Sequence, residues 1–307
     1  ILSYRIVERP FRYKFHFKNS IYLIIFCTVI SLSIVTISDK VKSNNTYEKW
    51  SKSNGTNYRC PVSSYFPYGS SRACIIEEGK KNKSKIILIG NSHAQMYVPL
   101  FSKLLRKTGN EGILVPLNTC LPTVILNVNK KCFKLAKKNL DTILADKKIQ
   151  HVFIAMTWYN ENYYDLNSDK KKPEALKDAV VNLINQINSK GKSVSLISPI
   201  AIPNEDLASE LPRKIKFKRI TNKEIEKKIS IDRKKYNAEF NKINLFFEEF
   251  LDDNYIKVFE DLCDLKKCFF AKGDIMYFSD SSHLAQHSLT KLTKSEKQIM
   301  KILKNIM

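Results

Sequence analysis

Glycine and proline are scarce, at 8 and 10 in 307 residues. That excludes a collagen-like repeat and Pro- or Gly-rich low complexity. Long apolar runs are scarcer still. There is one, and with a mean hydropathy of −0.29 the chain does not read as a polytopic membrane protein. No C-x-x-C occurs and no His stands beside a cysteine pair, so no metal site is expected. Acids are outnumbered, 30 Asp+Glu against 52 Lys+Arg, for a net charge of +22. Such a balance concerns partners and not fold: nucleic acid, an anionic membrane face and an anionic glycan are all open. What is present is a globular composition, 43% hydrophobic and 27% charged, long enough for one or two domains with a real core.

The single apolar run, Ser20–Ser38, carries no charge. At about 1.5 Å per residue it crosses a hydrocarbon core of roughly 30 Å. A buried core helix is the alternative, but the run shows no polar face. It is also longer than a signal-peptide core and no small-x-small cleavage site follows. A transmembrane helix is therefore expected. Arg5, Arg9, Arg12, Lys14 and Lys18 precede it against one acid, Glu8; Lys40, Lys42, Lys49 and Lys52 follow, diluted by Asp39 and Glu48. The stronger basic flank stays cytoplasmic. This predicts an inner (plasma) membrane protein with everything beyond about residue 40 on the periplasmic or extracytoplasmic side. Nucleic acid is then not an expected partner, and no motif for it is present. Cys27 lies in the run, and the other six cysteines fall into local pairs: Cys60/Cys74, Cys120/Cys132 and Cys263/Cys268. An even number beyond the span fits disulfides in an oxidising compartment. Six reduced core cysteines are the alternative.

Residues 39–58 are polar and read as a linker. Beyond them, strands alternate with helices. Short apolar runs predict strands at Lys85–Ile89, Gly112–Pro116, Gln150–Met156, Ser193–Ser198 and Tyr255–Glu260. Helical spacing predicts helices at Ala94–Lys107, Phe133–Ala145 and Glu174–Ser189. A capping box, Thr221 with Glu224, opens a long helix toward Phe250, and a last helix covers about Leu284–Leu303. This pattern predicts an α/β three-layer sandwich with a five-stranded, mostly parallel sheet.

Ligands of such sheets bind at the carboxyl ends of the strands. The first strand ends in Gly90-Asn91-Ser92-His93. A Ser in a tight turn before a helix has an exposed hydroxyl beside free backbone N–H groups that can hold an oxyanion; alone, it equally reads as a helix N-cap. Near the other end, Asp280-Ser281-Ser282-His283 precedes the last helix. His283 could take the Ser92 proton while Asp280 holds the other ring nitrogen; a surface loop with a chance His is the alternative. His287 competes as base but has no Asp at that spacing. Arg213–Lys235 holds 11 Lys/Arg and 3 Asp/Glu. It reads as a contact for lipid headgroups or glycan phosphates, or as a solvated helix face. Trp158, Tyr159, Tyr163 and Tyr164 could stack sugars or fill core.

G-N-S-H after the first strand with D-x-x-H before the last helix resembles the SGNH (GDSL-like) hydrolase superfamily, a flavodoxin-like fold. Ile1–Arg12, with S-Y-R-x-x-E-x-P-x-R, resembles the close of the acyltransferase-3 membrane family, whose members carry such a domain. The resemblance implies residues 1–19 as the end of that membrane domain, 20–38 as an extra span, 39–58 as a linker and 59–307 as an extracytoplasmic SGNH domain. It implies a serine O-acyltransferase, usually O-acetyl, acting on a surface polysaccharide or lipopolysaccharide glycan. Ser92, His283 and Asp280 would be catalytic. Asn91 stands where the family usually has Asp. The oxyanion or substrate positions fall at Asn91, Asn118 in the loop after strand two and Trp158 after strand three, where the family has Gly and Asn at the latter two. No cofactor is implied beyond an acyl group delivered by the membrane domain, a partner in cis with the membrane itself and the glycan acceptor. An esterase, or a catalytically silent glycan-binding module, are the other readings.

Overall fold

The computed structural model describes residues 25, 27–33, 46–55, 60, 64–79, 85–118, 120–124, 130–158 and 174–306. Two compact units divide the chain, Ile1–Glu48 and Lys49–Met307. In the first, residues 25 and 27–33 are helical and exposed. The hydroxyls of Thr28, Ser31 and Ser33 donate back to the carbonyls of Ile25, Cys27 and Val29, leaving Ile25, Val29, Ile30 and Leu32 on the outside. The rest of the predicted span and residues 1–19 lie outside the described residues. Among the described residues no helix is long and apolar enough to cross a membrane.

In the second unit the strands are β1 (Tyr65–Tyr68), β2 (Ser71–Glu77), β3 (Lys85–Gly90), β4 (Glu111–Pro116), β5 (Ile149–Ala155), β6 (Ser193–Ile197), β7 (Ser230–Asp232), β8 (Tyr255–Ile256), β9 (Lys267–Phe269), β10 (Ala271–Lys272) and β11 (Ile275–Met276). The helices are α1 (Thr46–Ser51), which begins before Lys49, α2 (Ser92–Gln95), α3 (Val98–Thr108), α4 (Lys130–Ala145) and α5 (Glu174–Asn188). They continue as α6 (Leu207–Lys216), α7 (Asn222–Lys228), α8 (Arg233–Leu251), α9 (Phe259–Leu262) and α10 (Thr293–Asn305).

The main sheet has seven strands in the order β1-β2-β4-β3-β5-β6-β8, two more than the sequence predicts. The five predicted strands are its parallel part. The additional pair, β1 and β2, is an antiparallel hairpin joined by Gly69-Ser70, with φ 58° at Gly69. It adds to the edge through β2 and β4, Cys74 opposite Leu114. In chain order the parallel strands run 2-1-3-4-5, so the connections diverge on either side of β3 and open a crevice at its carboxyl end. Ile87, Leu88, Phe153 and Leu196 are fully buried, because both faces of the sheet are covered. The packed pair α3 and α10 lies on one face; right-handed crossovers place α4, α5 and α8 on the other.

Three helices differ from expectation. Pro99 supplies no N–H and suits a first turn, so the predicted Ala94–Lys107 helix divides into α2 and α3, the latter ending on Gly109 at φ 76°. The predicted Thr221–Phe250 helix keeps its capping box, but Ser230–Asp232 leaves it to pair with Lys267–Phe269. The last helix begins at Thr293, after a 3-10 turn at Gln286–Lys291. The fifth predicted strand shortens to Tyr255–Ile256, and α9 follows.

The three expected cysteine pairs are disulfides, with Cα separations of 6.3 Å for Cys60–Cys74, 5.2 Å for Cys120–Cys132 and 3.9 Å for Cys263–Cys268. The last pair faces itself across a β-bridge.

Candidate active site

The first loop at the carboxyl edge starts at Gly90, whose φ is 154°. A Cβ there would run into the Ala155 carbonyl oxygen at the end of β5, so only glycine lets the two strand ends close up. Asn91 follows as the N-cap of α2. Its Oδ1 accepts from the N–H of His93 at 3.0 Å and from that of Thr157 at 3.2 Å. Asn91 is 2% exposed; its side-chain oxygen clamps the loop after β3 to the loop after β5. Ser92, half-buried, is then the first residue of α2, where backbone N–H groups lack intrahelical acceptors.

The second loop comes from the far end of the chain. His283 Nδ1 lies 2.8 Å from Asp280 Oδ2 and 3.0 Å from Oδ1. Asp280 Oδ1 also accepts from the backbone N–H of Ser282 and of His283, both at 2.8 Å. Partial burial pushes the Asp280 carboxyl up, but these hydrogen bonds, led by the one from His283, outweigh it and bring it down to about 2. It is a carboxylate at neutral pH, and so acceptor-only. The loop is held rigid by Ser279 N–H donating to the His283 carbonyl at 2.8 Å and by a β-bridge between Phe278 and Leu284.

The two loops meet. The Leu284 N–H points at Met96 Sδ, 3.3 Å away at the end of α2. The His283 ring stands 5.3 Å, centroid to centroid, from that of His93, the residue after Ser92. Burial holds the His93 imidazole down to about 3, with the neighbouring His283 adding to the fall and Asp280 opposing it. His93 is thus a neutral ring packed on His283, a contact that no local pattern predicts although His93 adjoins the motif serine. His287 goes elsewhere: its Nε2 lies 3.3 Å from Ser53 Oγ.

Asn118, exposed in the loop after β4, has φ 51°. Asn tolerates this left-handed region best after Gly. Leu117 N–H donates to the Gly90 carbonyl at 2.8 Å, and Cys120–Cys132 ties the same loop to α4. Trp158 is 7% exposed and packs edge-on to Phe247 at 5.9 Å. With His93, Met156, Ser198 and Ile200 it lines a small cavity at the carboxyl ends of β5 and β6. Its indole N–H is buried with no acceptor among the described residues. Tyr159, Tyr163 and Tyr164 lie outside the described residues. Among the described residues no cluster of three or more His, Cys, Asp or Glu is arranged for a metal ion.

A family model described as "SGNH domain (fused to AT3 domains)" matches residues 59–294. Among solved structures, the chain is similar to the periplasmic domain of a Salmonella ser. Paratyphi A lipopolysaccharide acetyltransferase. The identity is 19% and the TM-score 0.52, over 72% of this chain and 85% of that one, a likeness of fold. A GDSL-like lipase from Bacteroides thetaiotaomicron aligns at 11% identity and a TM-score of 0.40, over 75% of this chain and 92% of that one. No curated protein matches.

Proposed function

The chain belongs to the family of SGNH domains fused to acyltransferase-3 domains, and from that premise we propose that it is a serine O-acyltransferase, transferring an acetyl group to a surface polysaccharide or lipopolysaccharide glycan. The observation that carries the reading is the Asp280–His283 pair set against the turn that bears Ser92. In the proposed first step, Ser92 Oγ attacks the acyl carbonyl carbon of an ester or thioester donor, and His283 Nε2 takes the hydroxyl proton. Asp280 holds Nδ1–H and stabilises the imidazolium. The tetrahedral oxyanion is held by the Ser92 N–H, with Asn118 and the Trp158 indole N–H as further donors. Its collapse expels the donor's leaving group with the proton from His283 and leaves an acyl-serine. A glycan hydroxyl, deprotonated by His283, then attacks that ester. The acylated glycan departs and Ser92 regains its proton.

On this reading the domain is tethered by the Ser20–Ser38 span outside the cytoplasm, and an acyltransferase-3 domain in cis supplies the acyl group. The three disulfides support an oxidising compartment. Water as acceptor would make the same machinery an esterase. The test uses the full chain with a small acetyl ester, with and without purified surface glycan. Ester turnover lost in Ser92→Ala, with acetyl appearing on the glycan, supports the transferase. Turnover that ignores the glycan selects the esterase. A folded chain that binds glycan and turns over no ester refutes both.

A further inference from the structure

Between β6 and α8 the chain makes an insertion of two helices, α6 and α7. It leaves from the carboxyl end of β6. It returns at that same end, because α8 must run back to begin β8, which is parallel to β6. The insertion therefore stands at the edge where Ser92 and His283 lie. A Lys228–Glu205 ion pair closes its neck.

The corner joining the two helices is built in an uncommon way. α6 buries Leu207, Ala208 and Leu211, yet the next aromatic, Phe217, is 58% exposed. It is held there: the N–H groups of Phe217, Lys218 and Arg219 donate to the carbonyls of Arg213, Ile215 and Lys214 at 3.1, 2.9 and 2.8 Å, and Lys218 takes φ 52°. Thr221 then caps α7 at once. On either side of Phe217 in the chain, Arg213, Lys216, Lys218, Lys223 and Lys227 are exposed, and the Arg219 guanidinium sits 5.4 Å from the ring centroid. From Arg213 to Lys227 there are seven Lys/Arg and two Asp/Glu, so 7 − 2 = +5. A second apolar side chain, Leu265, is 97% exposed in the turn closed by Cys263–Cys268. That turn is bound to the start of α8, just after the insertion, through the Arg233 N–H and the Lys266 carbonyl at 2.8 Å.

An exposed aromatic fixed in a helix corner, with a guanidinium on its ring and exposed Lys/Arg on both sides of it in the chain, matches a surface that is anionic outside and apolar just beneath. We propose that the α6–α7 corner is a foot that docks on the lipid bilayer, Phe217 entering below the headgroups while Arg213, Lys216, Lys218 and Arg219 contact anionic lipid phosphates. The inference rests on the membrane-tethered reading above and extends it. Docking here turns the carboxyl edge of the sheet, and with it Ser92 and His283, toward the bilayer from which the acyl group would arrive. Because the corner is already ordered, little conformational entropy is lost on docking.

The test places the full chain carrying Phe217→Trp in nanodiscs of phosphatidylcholine, or of phosphatidylcholine with phosphatidylglycerol, each with brominated acyl chains. The native Trp50 and Trp158 are 2% and 7% exposed and give a constant background. In anionic discs the introduced indole should shift to the blue and lose about half its emission to the bromines. High salt, or Lys218→Glu with Arg219→Glu, should reverse both changes. No quenching, or equal quenching in both kinds of disc, overturns the foot. So does a spectral change induced by soluble dextran sulfate with no bromolipid quenching, which would point to an anionic glycan. A chain that co-purifies with neither disc refutes the tether and the foot together. Small-ester turnover with surface glycan added to the same samples keeps the two proposals apart: quenching without turnover or glycan acetylation leaves the foot standing and removes the enzyme.

Discussion

Asp280 shares its carboxylate between the His283 ring and two backbone amides. The arrangement orders the loop as well as the imidazole, so Asp280→Asn should leave the fold intact and misplace the proton of Nδ1. In a Ser-His-Asp triad of another fold this change lowers kcat by about 10⁴. Here the expected loss is about 10²- to 10⁴-fold, and less than in Ser92→Ala, in which no acyl-enzyme should form. Single-turnover acyl transfer with mass detection of the acyl-serine checks the order; a folded Ser92→Ala chain with near wild-type turnover would end covalent catalysis at this residue. Trp158 poses a sharper question. A buried donor without an acceptor costs on the order of 1–3 kcal/mol, so a merely structural indole should be improved by Trp158→Phe. If the N–H serves an oxyanion, kcat should fall about 10²-fold with KM little changed, while the denaturation midpoint stays level or rises. Unchanged kcat would remove Trp158 from the oxyanion hole.

At the scale of elements, the site depends on how closely β3 and β5 end together. Gly90→Ala would meet the Ala155 carbonyl at a φ that L side chains avoid. The strain alone should cost about 1–3 kcal/mol, and displacement of the Asn91 clamp should lower activity in whatever fraction stays folded. Circular dichroism melts alongside ester turnover measure both. The loop after β4 is restrained differently, by Cys120–Cys132 at a sequence separation of 12. A loop of that size corresponds to about 3 kcal/mol of chain entropy, so Cys120→Ser should lower the unfolding free energy by about that amount. A denaturant midpoint unmoved by the substitution would show that the loop is held by packing alone. Pro99 and the Ser230–Asp232 pairing act by interruption: each ends a helix that periodicity would continue.

For the whole molecule, two buried imidazoles set the response to acid. Burial lowers His93 and His151 to about 3 each, whereas an unfolded His titrates near about 6.5. Below that pH the unfolded chain binds protons that the folded chain refuses, so stability falls as pH falls. The slope should approach about 1.4 kcal/mol per pH unit for each of the two; His287, lowered by burial as well, adds to it, so His151→Gln should make the slope shallower without abolishing it. Asp280 acts in a lower window. Its depressed value stabilises the fold above the ordinary carboxylate range, and that contribution is lost as pH falls through about 2. Urea unfolding between pH 7 and 5 therefore reads the histidines alone, and a flat profile would contradict their burial in the neutral form.

Some of this was legible in the residues themselves. The five parallel strands are short apolar runs that can lie only inside, and their limits fall within a residue or two of the observed ones except at Tyr255–Ile256. The disulfide partners stand close in sequence, and an Asp three residues before a His reaches its Nδ1 within one turn of loop. Tyr68-Gly69-Ser70-Ser71 even carries a hairpin signal, although the runs on either side of it are too short and mixed to mark strands by pattern. Other features needed the tertiary structure. Asn91 reaching Thr157, His93 lying on His283, Ser230–Asp232 pairing across to Lys267–Phe269 and the burial of the Trp158 indole all join segments that local pattern cannot relate. The same holds for Phe217: the basic stretch around it is plain in the sequence, but its standing in solvent is not. Periodicity within a few residues reports which face of an element is apolar; what that face meets is decided by packing between elements distant in the chain.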